Sequence, residues 1–239
     1  MDLQNTHVVV LGGSSGIGLA TAKAAAAQGA RLTIASSRRS RIDAALAELP
    51  AGSAGAAVDL TDEAAVAAFF AALGPLDHLV YTAGESLKLG PIGETELDAA
   101  RGFFALRYFG AYAAAKHAAP RIAAGGSIVF TSGIAGMRPR AGWSMAASIC
   151  SAMEALTRAL AVELAPVRVN IVSPGVVRTA LWDDMPDAAR ADLYAATAAS
   201  LPVGHVGEAE EIAQAYLYAM RQTYGTGQTL VVDGGATLV

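Results

Sequence analysis

Short apolar segments alternate with longer amphipathic segments from one end of the chain to the other. Short apolar runs bounded by glycine, proline or polar residues predict buried β-strands. The predicted strands cover residues 7–11, 31–35, 55–58, 76–81, 127–131, 167–172 and 229–232. Because these runs carry no polar alternation, we expect a mostly parallel sheet that is covered on both faces.

Helix-like segments separate these strands along the whole chain. They are predicted at residues 16–28, 41–49, 95–123, 145–165, 181–200 and 208–221, and one more runs from its N-cap Thr61 to Leu73. The segment 95–123 is expected to break near Gly102 or Pro120, since glycine and proline are poor helix residues. Strands that alternate with helices, without a linker or repeat, predict a single doubly wound α/β domain over residues 1–239.

Composition and charge narrow the possible partners. The chain has 239 residues, of which 54% are hydrophobic and 16% charged, with a formal net charge of −4, which suits one large domain. No long basic run is present, so neither nucleic acid nor an anionic membrane surface is expected as a partner. Apolar runs end before about 18 residues and the N-terminus lacks a basic region, so we predict neither a membrane span nor a signal peptide.

The number of cysteines and the spacing of the histidines indicate whether a metal site is expected and which cell compartment the chain suits. Cys150 is the only cysteine, which excludes an intrachain disulfide and a cysteine-based metal cluster and favours a reducing, cytoplasmic location. The four histidines are scattered along the chain and match no ligand spacing, so no metal site is predicted.

A glycine-rich stretch, Leu-Gly-Gly-Ser-Ser-Gly-Ile-Gly, joins the first predicted strand to the first predicted helix. Glycines there let the backbone turn tightly and approach a pyrophosphate, whose charge the helix N-terminus stabilises. A tight turn without a ligand is the alternative, but the position between a first strand and a helix favours nucleotide binding. The candidate cofactor-binding residues of this stretch are Gly12, Ser14, Ser15, Gly16, Ile17 and Gly18.

The Gly-x-x-x-Gly-x-Gly spacing resembles that of the short-chain dehydrogenase/reductase family, and further elements follow in the family's order along almost the whole chain. Residues 59–60 resemble the adenine-contacting acidic element, residues 82–84 the Asn-Ala-Gly element, and Asn170 with residues 173–179 the stretch beside the nicotinamide. Leu11 departs from the pattern, because the family usually has Thr there. The resemblance implies a Rossmann-type fold and adds these candidate cofactor-binding residues: Asp59, Leu60, Ala83, Gly84, Pro174, Gly175, Val177 and Thr179.

The residues just after the second predicted strand indicate which dinucleotide the site prefers. An acidic residue there would bind the ribose 2′-hydroxyl of NAD(H), whereas arginine accommodates the 2′-phosphate of NADP(H). Ser37 and Arg38 stand here, followed by Arg39 and without an acid, so we predict NADP(H) over NAD(H). The alternative is that the two arginines only cap a solvated helix start.

The predicted helix over residues 145–165 resembles the catalytic helix of the family, which carries Tyr and Lys one turn apart. The resemblance implies that Tyr donates a proton, Lys lowers the Tyr pKa and holds the ribose, Ser orients the carbonyl, and Asn supports a water relay. An ungapped count places Ala146 at the Tyr position and Cys150 at the Lys position. General acid catalysis contributes ~10²–10⁴-fold, so we expect ordinary carbonyl chemistry to be weakened.

The other two catalytic positions also differ from the family. The same count places Gly133 at the Ser position and Arg107 at the Asn position, although a one-residue loop difference would give the Ser position to Ser132. Ser132 and Arg107 remain catalytic candidates: Arg107 could bind a carboxylate or phosphate or polarise a carbonyl, or could simply pair helices. Cys150 could be a nucleophile, but a small buried hydrophobic residue is the favoured interpretation.

Three functions fit the sequence. The first is an NADP(H)-binding oxidoreductase that acts on a small carbonyl or alcohol substrate with non-standard or weakened proton transfer. The second is a catalytically inactive dinucleotide-binding sensor or partner subunit, and the third is a cofactor-free lyase or hydrolase that uses the old substrate pocket. The resemblance also implies a homo-oligomer, either a homodimer or a homotetramer.

Overall fold

Seven parallel strands form the central sheet of the computed structural model, which describes residues 2–85 and 89–239. They are β1 (His7–Leu11), β2 (Arg31–Ser36), β3 (Ala54–Ala57), β4 (Leu76–Tyr81), β5 (Ile122–Thr131), β6 (Arg168–Pro174) and β9 (Thr229–Val232), while β7 (Val177–Arg178) and β8 (Gly207–Glu208) form a separate pair. The sheet order is β3-β2-β1-β4-β5-β6-β9, so the winding direction reverses between β1 and β4. Open parallel sheets bind ligands at the carboxyl ends of the strands beside such a reversal.

Helices cover both faces of the sheet. Within the described residues the α-helices are α1 (Gly16–Ala26), α2 (Arg39–Leu46), α3 (Glu63–Leu73), α4 (Leu97–Phe104), α5 (Ala111–Ala118), α6 (Ser144–Glu163), α7 (Asp187–Ser200) and α8 (Ala209–Arg221). Side chains of α3, α5 and α6 share one buried cluster with alternate strand residues, and those of α1, α2 and α8 share a second cluster on the opposite face. The predicted doubly wound α/β fold is therefore confirmed.

Helix α6 forms part of the core. By length and composition alone it is apolar enough to cross a membrane. However, its Met153, Leu156 and Leu160 are buried in the cluster that also contains Ile128 and Phe130 of β5. Its apolar face is thus used in packing against the sheet, as expected for a core helix of a doubly wound α/β fold.

Two helices, α3 and α7, begin later than predicted, because a side-chain hydrogen bond or a proline determines the first helical residue. Thr61 was the expected N-cap of α3, but Asp62 is the N-cap, with its carboxylate accepting from the Ala64 N–H at 2.9 Å. The Thr61 hydroxyl instead donates to the Asp59 carboxylate at 2.7 Å, in a local turn. The predicted helix over 181–200 begins only at residue 187, because Pro186 disfavours helical backbone in the residue before it.

The predicted helical region over 95–123 breaks at an unexpected place. Gly102 lies inside an unbroken α4, whereas Pro120 lies in a short 3₁₀ turn, as expected. Between α4 and α5, residues Ala105–Gly110 form a π-helical turn. The Tyr81 hydroxyl on β4 donates to the Leu106 carbonyl at 2.6 Å, which helps to hold this turn against the end of the strand. Such π-turns often occur at functional sites, and this one contains Arg107.

Candidate active site

The glycine-rich loop after β1 forms a cradle that fits a pyrophosphate. Gly12 has φ +86°, and a Cβ there would lie 2.5 Å from the backbone nitrogen of Ala83. Ser15 is the N-cap of α1 but makes no side-chain capping hydrogen bond, so the N–H groups of the first turn stay available for an anion. The loop therefore combines a close backbone approach with a free helix N-terminus.

The loop after β4 packs directly against this cradle. The Thr82 hydroxyl donates to the Leu11 carbonyl at 3.2 Å, and a Cβ on Gly18 would collide with this hydroxyl. Leu11 itself is fully buried, so the residue that departs from the family pattern belongs to the core rather than to the nucleotide surface. Thr82 thus links the Thr-Ala-Gly element to the glycine loop and fixes the spacing between α1 and the sheet.

The segment after β6 forms the opposite wall of the cradle. A Cβ on Gly16 would lie 3.2 Å from the Thr179 side chain, so the two segments face each other. Gly175 donates its N–H to the Val232 carbonyl at 3.0 Å, and a Cβ there would meet the Asp233 backbone at 2.9 Å. Val177 is buried in the core, and its carbonyl accepts a hydrogen bond from the Trp182 Nε1–H at 3.0 Å, so this residue supports the packing of the segment.

The side chain of Asn170 is used in hydrogen bonds within the protein and is not available to a ligand. Its amide donates to the Gly225 carbonyl at 2.9 Å, and its side-chain oxygen accepts from the Gln228 N–H at 3.0 Å. With 1% of its surface exposed, Asn170 joins β6 to the segment before β9. Its match to the family stretch therefore reflects a structural role.

Two arginines follow β2 and differ in how they are used. Arg39 forms an ion pair with Asp43 at 2.8 Å and donates to the Gly55 carbonyl at 3.4 Å. Arg38 is exposed at the N-cap position of α2, beside exposed Ser37, and makes no side-chain capping hydrogen bond. Arg39 thus supports the helix start, whereas the Arg38 guanidinium is accessible to a phosphate.

The expected adenine-contacting element lies on the same side of the sheet reversal. Asp59 is exposed and accepts hydrogen bonds from the N–H and hydroxyl of Thr61 at 2.9 and 2.7 Å, which lower the pKa of its carboxyl group. Leu60 is buried, with 5% of its surface exposed. The Asp59 carboxylate is therefore engaged in the local turn, and because Leu60 is buried, exposed Asp59 is the part of this element that a ligand can reach.

The first turns of α6 carry neither tyrosine nor lysine at the expected positions, which are Ala146 and Cys150. Ala146 is buried, with 4% of its surface exposed. Burial raises the pKa of the neighbouring Cys150 thiol above its ordinary value, despite the opposing effects of Ser132 and Arg107. A raised thiol pKa lowers the thiolate fraction at neutral pH, which argues against Cys150 as a nucleophile.

Ser132 and Gly133 meet α6 in different ways. The Ser132 hydroxyl lies 3.2 Å from the Cys150 carbonyl and 3.2 Å from a carboxylate oxygen of Glu154, so its proton is used on α6. A Cβ on Gly133 would lie 3.4 Å from the Cys150 sulfur and 3.9 Å from the Pro174 carbonyl. Position 133 thus faces the space between Cys150 of α6 and Pro174 of β6.

Arg107 brings a positive charge to this region from the π-helical turn. One of its terminal nitrogens donates to the Glu85 carbonyl, its Nε lies 3.9 Å from the Glu85 carboxylate, and its guanidinium lies 4.6 Å from the centre of the Phe103 ring. Burial lowers the pKa of Arg107, and Glu85 opposes that effect. The guanidinium stays charged at neutral pH, because the lowering starts from a pKa far above neutrality. Sequence reasoning missed Glu85 and Phe103, since their roles depend on the π-turn.

A cavity that was not predicted from the sequence lies between α7 and Arg178. It has a volume of about 480 Å³ and is lined mainly by Arg178, Arg190 and Tyr194. Arg178 lies 4.4 Å over the Tyr194 ring and pairs with Glu208 at 3.1 Å. Helix α7 has no fully buried residue, so polar and ring contacts contribute much of its attachment.

Comparison with known proteins gives consistent matches along almost the whole chain. The family model described as Enoyl-(Acyl carrier protein) reductase matches residues 12–237. The chain is 37% identical to "Short-chain dehydrogenase/reductase ATR9" of Stachybotrys chlorohalonatus, covering 99% of this chain and 98% of that protein. It is 36% identical to "Cis-4-hydroxycyclohexanecarboxylate dehydrogenase" of Sinomonas cyclohexanicum, covering 97% and 96%. A crystal structure of a small-chain dehydrogenase in complex with NADPH matches with a TM-score of 0.87 and 38% identity, over 99% of this chain and 100% of that one.

Proposed function

Because the chain belongs to the short-chain dehydrogenase/reductase family, we propose that it is an NADP(H)-dependent oxidoreductase for a small carbonyl or alcohol substrate, with a non-standard route for the proton. The observation that carries this proposal is the pyrophosphate cradle. Gly12 packs on Ala83, and Gly16 faces Thr179, so both walls of the dinucleotide site are retained. A chain that no longer bound a nucleotide would have no need of these close glycine contacts.

The preference for NADP(H) is supported by the end of β2. Arg38 is exposed at the start of α2 and is not committed to the Asp43 pair that holds Arg39. A guanidinium forms bidentate, charge-assisted hydrogen bonds with phosphate, so Arg38 fits the 2′-phosphate that distinguishes NADP(H). That a solved relative was crystallised with NADPH agrees with this preference.

The proton must come from a source other than the family tyrosine. The nicotinamide, when bound, supplies or accepts a hydride at the substrate carbon. Ala146 has no proton to give, and the Ser132 hydroxyl is used on α6. We therefore assign the proton to water or to the substrate itself, with a rate penalty of ~10²–10⁴-fold relative to a tyrosine-containing site.

Carbonyl reduction assays and NADPH titration test the proposal against the two other candidate functions. NADPH consumption should be measured with a panel of aldehydes and ketones, together with calorimetric titration of NADPH. Turnover with any substrate is the expected result. Tight binding without turnover across the panel would instead support an inactive sensor or partner subunit. Absence of binding together with lyase or hydrolase activity would support the third function.

We further propose that the protein is a homodimer or homotetramer located in the cytoplasm. Large apolar side chains are exposed around the π-turn and α6, including Phe109 (63% exposed), Tyr112 (47%) and Val162 (81%). Exposed apolar groups of this size are typical of surfaces that another chain covers. Light scattering coupled to size exclusion is the test, and a monomeric mass at micromolar concentration would contradict the assembly.

A further inference from the structure

The positive charge in the reaction cleft lies on a different element from the one implied by the family resemblance. At position 150 of α6, where lysine is expected, the Cys150 side chain carries no positive charge. Arg107 on the π-turn instead reaches the same region, since it rests on Gly84 of the loop after β4 and its charge lowers the pKa of the Cys150 thiol, against the larger effect of burial. The cleft therefore keeps a cation, but that cation comes from the neighbouring helix.

The loop after β4 places this cation on the path of the dinucleotide. A Cβ on Gly84 would lie 2.7 Å from the Arg107 guanidinium carbon, so the side chain rests on the loop. The preceding residue, Ala83, is the one that contacts Gly12 in the pyrophosphate cradle. Arg107 is thus separated from the cradle by a single loop residue, on the side that leads towards α6.

Arg107 is firmly held but has unused donors. The Phe103 ring and the Glu85 carbonyl fix the plane of the guanidinium. Its Nε is buried and forms an ion pair with the Glu85 carboxylate at 3.9 Å, but it makes no hydrogen bond among the residues that the structure describes. Buried donors are nearly always satisfied in folded proteins, and a guanidinium offers five N–H groups in a fixed fork. This arrangement suits a pair of adjacent hydroxyl groups, as on a ribose.

We propose that Arg107 replaces the family lysine as the cation that holds the nicotinamide ribose of the dinucleotide. The inference depends on the proposed function, because it requires a nicotinamide nucleotide in the cradle. It assigns to Arg107 a binding and positioning role towards the cofactor, and it explains why position 150 tolerates an uncharged side chain. Glu85 fixes the orientation of the guanidinium in this arrangement.

Calorimetric titrations with two probes test this role. NADPH contains the nicotinamide ribose, whereas 2′,5′-ADP contains only the adenosine half with its 2′-phosphate. Arg107→Met should weaken NADPH binding by about tenfold or more, since a hydrogen bond to a charged group contributes about 1.5–3 kcal/mol. Its affinity for 2′,5′-ADP should stay within about twofold of the wild type, because that probe does not reach Arg107.

Returning the charge to α6 is the second part of the experiment. The double variant Arg107→Asn with Cys150→Lys should bind NADPH within about threefold of the wild type, because lysine then supplies the cation. Arg101→Met is the matched control, since Arg101 lies on α4 with 73% of its side chain exposed and pairs with Asp98. This control should leave both affinities unchanged.

The outcomes separate this inference from the proposed function. Wild-type NADPH affinity in Arg107→Met, or no recovery in the double variant, would overturn the role of Arg107. If Arg107→Met does not fold, Arg107→Gln removes the charge but retains an amide donor for the Glu85 carbonyl, and the same tenfold loss is expected. A wild-type protein that binds neither probe would contradict the proposed function itself.

Discussion

The contact between Gly12 and the loop after β4 gives the sharpest test of the cradle. Gly12→Ala would add a Cβ at φ +86°, 2.5 Å from the Ala83 nitrogen and 2.8 Å from the Thr82 carbonyl carbon. An L-residue in the left-handed region costs about 1–2 kcal/mol. Forcing a group into a packed site costs about a further 1–3 kcal/mol. The expected loss in the free energy of unfolding is therefore about 2–5 kcal/mol.

The chain contains a matched control for the backbone part of this cost. Gly52 has φ +92°, but a Cβ there would meet nothing within 4 Å. Gly52→Ala should therefore lose only about 1–2 kcal/mol, all of it from the left-handed backbone. The difference between the two variants isolates the collision between the cradle and the Ala83 loop.

Urea unfolding and NADPH titration together measure both effects. Gly12→Ala should lower the NADPH affinity at least about tenfold. To avoid the collision, the cradle or the Ala83 loop has to move, and the shift lengthens hydrogen bonds to the pyrophosphate beyond their normal range. Gly52→Ala should bind NADPH as the wild type does. Equal stability of the two variants, or unchanged NADPH binding in Gly12→Ala, would refute the close approach as the basis of the site.

Three further changes have defined outcomes. Arg38→Ser should weaken NADPH binding about tenfold or more and leave NADH binding unchanged. Arg39→Ser should not change the ratio of the NADPH and NADH affinities. Isothermal titration measures both. Ala146→Tyr combined with Cys150→Lys should raise carbonyl reductase turnover by ~10²–10⁴-fold, and unchanged turnover would mean that more than the proton donor was lost. Burial lowers the pKa of His78 to about 4 from 6.5, so the unfolded chain binds the proton more tightly. Stability should be complete above pH 6.5 and fall by about 3 kcal/mol as the pH drops towards 4. Urea titrations should show a loss of stability towards pH 4 that is larger in the wild type than in His78→Leu by about this amount, and equal losses would contradict the prediction.

The sequence predicted the elements whose signals are local. β1, β4 and β9 have the predicted bounds, because short apolar runs end there at glycine or polar residues. The glycine spacing after β1 predicted the cradle, since tight turns and close backbone approach impose glycine directly on the sequence. The absence of polar alternation in the strand segments predicted the parallel sheet, and the alternation of strands with helices predicted the doubly wound fold; the sheet order and the structural comparison confirm both.

Features that depend on distant side chains could not be predicted in this way. The π-turn is held in part by the Tyr81 hydroxyl, which comes from another element. The direction of Ser132 depends on Cys150 and Glu154 of α6, and the structural role of Asn170 depends on residues far along the chain. A motif match fixes the residue type at a position, but the hydrogen bonds of the folded chain determine its function.

The central claim is that the cleft binds NADP(H) although the family's proton donor is absent. The most direct measurement is a calorimetric titration of the purified wild-type protein with NADPH and, separately, with NADH. The account predicts saturable binding of one NADPH per chain, at least about tenfold tighter than NADH, because Arg38 favours the 2′-phosphate. Binding of neither dinucleotide, or a preference for NADH, would contradict it.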